Sequence, residues 1–100
     1  MVQVGKGRIV RFRFDHPSTE QVYLVGDFND WNECSHPMHR VHSQWVLDIL
    51  LPPGEFEFKY LVGTNWFNDY AADKYVPNCW GSENSVVVVH ETNLAEEIAA

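Results

Sequence analysis

The sequence predicts an all-β domain, an antiparallel β-sandwich, on three observations. Apolar and polar residues alternate with a period of two through most of the chain. The alternating runs are short and separated by clusters of Gly, Pro, Asn and Asp, which favour turns. No stretch within residues 1–90 carries the 3.6-residue periodicity of an amphipathic helix.

The strands follow in order. In RIVRFRF, Val10, Phe12 and Phe14 fall on one face and Arg11 and Arg13 on the other. In EQVYLVG, Val22 and Leu24 oppose Tyr23 and Val25. In QWVLDILL, Trp45, Leu47, Ile49 and Leu51 share a face, with Asp48 opposite. The turn Pro52-Pro53-Gly54 leads to a strand in which Phe56, Phe58, Tyr60 and Val62 alternate with Glu55, Glu57, Lys59 and Leu61. SVVVVH, residues 85–90, is β-branched and suits the interior of a sheet. Residues 1–90 thus form the sandwich, and ETNLAEEIAA (91–100) is a tail or linker stub. The tail fits a short helix, with Thr92 or Asn93 as cap and Glu96 or Glu97 in the first turns, or a frayed end.

A chain of 100 residues reads as one domain. It hides roughly 60–70% of its unfolded surface, enough for one core. Seven basic against fourteen acidic side chains give a net charge of −7. Nucleic acid and anionic membranes both need a positive footprint, so neither is an expected partner. No apolar run approaches the length of a membrane span, and MVQVGKGRIV lacks the pattern of a signal peptide. The expected location is cytoplasmic, for this chain or for a longer one from which it was cut. Cys34 and Cys79 lie among turn residues. A disulfide between them is possible, although a cytosolic pair is more often reduced.

The four tryptophans divide by neighbourhood. Trp45 keeps register with Leu47, Ile49 and Leu51 and belongs in the core. Trp31 closes GDFNDW, Trp66 follows Gly63-Thr64-Asn65, and Trp80 sits in PNCWGSEN. Each of these three, taken alone, can fold inward as a cap on the sandwich. Three indoles in three separate turns are harder to absorb that way. The alternative is a sugar platform. The C–H face of a pyranose matches the electron-rich face of an indole, while its hydroxyls need donors and acceptors nearby. Lys59, pointing away from the core on the strand before Trp66, and Asn84, just beyond Trp80, are suitable polar candidates.

The segments VYLVGDFNDW, LPPGEFEFKYLVGTNWFND and GSENSVVVV, in that order, resemble the family 48 carbohydrate-binding modules. These include the glycogen-binding domain of the AMP-activated protein kinase β subunit and the N-terminal domains of isoamylases and branching enzymes. The resemblance runs from about Gly7 to His90, and GDFNDW alone would only suggest it. It implies an immunoglobulin-like sandwich of the early-set type that binds α-1,4-linked glucose polymers without cleaving them. The tryptophan of the family's first motif corresponds to Trp31, and the strand lysine to Lys59. The tryptophan after the next turn corresponds to Trp66, and the asparagine ahead of the last strand to Asn84. The family often has a leucine where this chain has Trp80, whose larger ring would either add a third contact or crowd the groove.

Other constellations are weaker. CSHPMHRVH gathers Cys34, His36, His39 and His42. On an extended strand His39 and His42 face opposite ways, and no second ligand pair stands elsewhere, so no metal is expected. Cys34, Trp45 and Cys79 mimic the order of antibody domains, but Pro77 stands where a tyrosine corner belongs. Glycosidases need two carboxylates about 5–9.5 Å apart across a cleft. Glu55, Glu57, Asp69 and Asp73 read instead as solvated surface, so neither a catalytic residue nor a cofactor is expected. The related starch enzymes carry their chemistry in a separate barrel domain. Ser82 lies beside the groove, with nothing in the sequence to mark it as modified. The rival reading is a docking module that holds a catalytic domain or kinase subunit, which acidic charge and an exposed aromatic patch also fit.

Overall fold

Which side chains meet in a sheet depends on strand register, since a slip of one residue would turn every core side chain outward. The computed structural model describes residues 8–17 and 20–90. Its described strands are β1 (Arg8–Asp15), β2 (Val22–Gly26), β3 (His39–Val41), β4 (Gln44–Leu51), β5 (Gly54–Val62), β6 (Asn65–Phe67), β7 (Lys74–Pro77) and β8 (Glu83–Val89). They form two antiparallel sheets, one in the order β1-β4-β3 and the other β2-β5-β8-β7, with β6 also paired to β5. The fold is an all-β sandwich.

Register brings the apolar rows together. Phe14 lies opposite Trp45, Phe12 opposite Leu47 and Val10 opposite Ile49. Across the sandwich Phe14 stacks on Tyr60 with centroids 4.5 Å apart, and Phe12 meets Phe58 edge-on at 5.0 Å. Trp45 is 6% exposed and belongs to this core. Its indole N–H finds no acceptor among the described residues. The Tyr60 hydroxyl shares its one proton between two acceptors, the Asp69 carboxylate at 2.8 Å and the Arg13 carbonyl of the other sheet at 3.1 Å. Burial, followed by the Asp69 charge, holds that phenol far above its ordinary pKa, so it stays a neutral donor.

Three strands escape the alternation pattern. β3 and β7 are sheet edges, exposed along most of their length, and β7 ends on Pro77, which cannot donate to a ladder. β6 is only three residues long. It nevertheless places Trp66 on a strand, opposite Leu61, rather than in a turn. Likewise β8 begins at Glu83, so Asn84 lies within the last strand rather than ahead of it. Val25 and Leu61 point away from the core as expected, yet both are buried. Leu61 lies between Tyr23 and Trp66 on the neighbouring strands, and these large rings flank it. Among the described residues, no helix is long and apolar enough to cross a membrane. The tail at 91–100 lies outside the described residues.

Candidate functional site

The first indole is positioned by the turn after β2. That strand ends at Gly26, where a Cβ would stand 2.4 Å from the Glu57 carbonyl oxygen and 2.8 Å from the Phe58 Cβ. Only glycine permits so close an approach to β5. A single 3-10 turn, Asp27–Asn29, follows. The Asn29 side chain closes it, accepting from the Gly26 N–H at 3.0 Å and donating to the Leu24 carbonyl at 3.1 Å. Asp30 and Trp31 then adopt left-handed backbone angles, φ 55° and 57°. Asp tolerates that region, whereas a bulky residue rarely enters it without compensation. Here the compensation is visible. The Trp31 N–H donates to the Gly26 carbonyl, and its indole N–H donates to Asp27 Oδ1, each at 2.9 Å. The other Asp27 oxygen accepts the Glu57 N–H at 2.8 Å. Asp27 therefore fastens both the indole and the turn to β5.

The outer face of β5 and β8 supplies the polar floor. Lys59 is 9% exposed, and its Nζ donates to the Glu83 carbonyl at 2.9 Å and, more weakly, to Ser82 Oγ at 3.4 Å. Burial pushes its pKa below the ordinary 10.5. Asn84 is 8% exposed. Its Nδ2 donates to Glu57 Oε1 at 3.0 Å, and its Oδ1 accepts from Asn78 Nδ2 at 2.9 Å. Both ends of the amide are thus fixed, each with capacity left for one further bond.

Asn78 organises the loop that carries Trp80. Its Oδ1 accepts the backbone N–H groups of Trp80 and Ser82 at 2.9 and 3.1 Å. Its Nδ2 also donates to Ser82 Oγ at 2.9 Å. Gly81 supplies the positive φ of 83° that turns the chain back to β8. Trp80 is left 86% exposed and Trp66 42%, while Trp31 is half-buried.

Trp31, Lys59, Trp66, Trp80 and Asn84 line one open groove of about 780 Å³. All five candidate residues come together. Glu33, Glu57, Asn78, Cys79 and Ser82 complete the lining. Glu57 reads from sequence as solvated surface, but it lines the groove with Lys59 two residues away and is bonded to Asn84. Their common parity on β5 was the available signal. Asn78 carried a weaker one, an Asn two residues before the Trp-Gly turn.

The remaining candidates lie elsewhere. Asp69 and Asp73 serve the fold rather than bare surface. Asp69 accepts from Tyr60, and Asp73 Oδ2 accepts the Val88 N–H at 2.7 Å. Glu55 pairs with Lys74 at 2.7 Å. His36 lies in hydrogen-bond contact with Asn29 and Ser35, His39 is on β3, and His42 follows in the turn. Among the described residues, no three His, Cys, Asp or Glu side chains are placed to hold a metal ion. Cys34 and Cys79 are both exposed and free.

Residues 9–95 match the family model described as the glycogen recognition site of AMP-activated protein kinase. The chain is 34% identical over 75 residues to the bovine 5'-AMP-activated protein kinase subunit beta-1, covering 75% of this chain and 27% of the relative. Identity to the human beta-1 subunit is 32% over the same coverage. A 1,4-alpha-glucan-branching enzyme of Dictyostelium discoideum is 58% identical over 41 residues, 40% of this chain and 6% of the enzyme. The chain therefore spans about a quarter of the kinase subunits it matches, and a far smaller part of the branching enzyme.

Proposed function

The chain belongs to the family of glycogen recognition sites of AMP-activated protein kinase, and on that premise we propose that its groove binds α-1,4-linked glucans by aromatic stacking, without cleaving them. The observation that supports this reading best is the meeting of three indoles from separate segments in one groove that Lys59 and Asn84 also line. Amylose and the outer chains of glycogen curve. Indole planes held by different loops suit such a curve better than a flat strip would.

Trp31 and Trp66 stack on neighbouring glucose units in this mechanism, and Trp80 adds a third plane at the rim. The remaining Lys59 N–H and the open positions of the Asn84 amide bond sugar hydroxyls and set the register. A fixed amide loses little freedom when a hydroxyl arrives, which lowers the cost of binding. After association costs, a few stacks and two polar contacts give a Kd between about 10 μM and 1 mM. Many chain ends on one glycogen particle then raise the apparent affinity. The module's work is targeting. It keeps an attached kinase subunit or catalytic domain near its glucan.

Tryptophan fluorescence titrated with maltoheptaose or β-cyclodextrin tests the reading, together with a glycogen pull-down competed by cyclodextrin. A saturable shift and competed retention are expected. A flat titration with no retention would move the module to the protein-docking role.

A further inference from the structure

Resting on the α-glucan reading of the groove, we propose that the site selects uncharged glucans and discriminates against chains that bear phosphate or other anionic esters. The loop around Trp31 brings three carboxylates, Asp27, Asp30 and Glu33. Glu33 and Glu57 line the groove itself. Asp27 lies directly against the polar edge of the Trp31 indole. Facing them, Lys59 is the one cationic side chain lining the groove among the described residues. The residue is 9% exposed, and its ammonium already donates to Glu83 and Ser82.

The hydrogen-bond inventory points the same way as the charge. A glucose hydroxyl both donates and accepts. It can give its proton to the free oxygen of Glu57 and take a bond from Asn84 or Lys59. A phosphate ester at neutral pH offers mainly acceptors. Set near Glu57 and Glu33 it places acceptor against acceptor, and both lose the water that satisfied them. The chain's net charge of −7 adds repulsion at longer range. With charges several ångströms apart in a wet groove, a single phosphate weakens binding about three- to tenfold near physiological salt.

Three rings of similar size test this on the intact chain by calorimetry: β-cyclodextrin, its 6-phosphate and its 6-amino-6-deoxy derivative. The phosphorylated ring should bind about three- to tenfold more weakly than the parent, and the amino ring as well or better. The gap should narrow as salt rises from about 0.05 to about 0.5 M. It should also shrink in a Glu33→Gln/Glu57→Gln double variant, read as the ratio of the two affinities. Equal or tighter binding of the phosphorylated ring overturns the proposal. So does a gap that ignores salt and is shared by the amino ring, which would be steric. If the parent ring produces no binding at any salt, the α-glucan reading falls first and the selectivity falls with it.

Discussion

Strand β5 carries two rows of side chains one residue apart, and the rows are held in different ways. Phe58, Tyr60 and Val62 face inward among other apolar groups. Glu57 and Lys59 face the groove, and Lys59 is almost as inaccessible as its core neighbours. Depth therefore does not separate core from site here. The inner row is kept by close packing, which has no preferred direction and responds to lost volume. The outer row is kept by directed bonds through Asp27, Asn78, Asn84 and Glu83, with indole planes left partly uncovered around it. The two rows should thus fail differently when side chains are removed.

The largest effect is expected at Trp45, the buried indole. Trp45→Ala should cost about 3–5 kcal/mol of folding stability. Chemical denaturation measures it, and a cost well below 1 kcal/mol would remove Trp45 from the core. Trp66→Ala comes next and should invert the pattern. Glycogen retention should be lost while the melting temperature shifts by only a few degrees. Unfolding of this variant instead would show that the outer row is also structural. Trp80→Ala should have a smaller effect, weakening maltoheptaose binding roughly fivefold by analogy with the loss of one base stack. An increase in affinity would mean that this ring crowds the groove.

Asn78→Ala sharpens the contrast further, because the residue touches the site through its loop. The Trp80 and Ser82 N–H groups and the Asn84 amide oxygen would lose their partner, so affinity should fall severalfold while stability falls by only about 1 kcal/mol. The smallest effect is expected at the exposed Arg11–Asp48 pair, which bridges β1 and β4 of the other sheet. Its two bonds, 2.8 and 3.0 Å, hold the Asp48 carboxylate below its ordinary pKa of 3.8, chiefly through hydrogen bonding. The resulting stabilisation is complete above that ordinary value and disappears as pH falls through the lower folded value. Asp48→Asn should therefore change stability only slightly at pH 7, and less in high salt, as a pH series of denaturation curves would show.

Legibility along the chain followed the same division. The runs around Phe12, Trp45, Tyr60 and Val87 announced their strands, because a half-buried sheet imposes a period of two. β7 stayed hidden, and CSHPMHRVH read only as a solvated loop and edge strand, since edge strands exposed on most positions obey no such rule. The sugar-platform candidates were readable as residue types: indoles in places where alternation did not explain them, Lys59 on the outward row of its strand and Asn84 just beyond Trp80. The partners that fix them were less so. Glu57 looked like surface because only coordinates reveal the Asn84 amide beside it, and Asp69 because its Tyr60 partner lies across a turn.

Alternation, turn residues and the order of three segments determined the sandwich and its family without any coordinates. They work locally, through backbone geometry and the side each residue faces, and local rules can be read along one dimension. The convergence of Trp31, Trp66 and Trp80 was decided in three dimensions. It depends on how far Gly26 lets one turn approach β5, and on how Asn78 folds the loop before β8. Contacts between residues 27 and 57, or 59 and 83, arise only when the sheet closes, and no spacing along the chain encodes their distance.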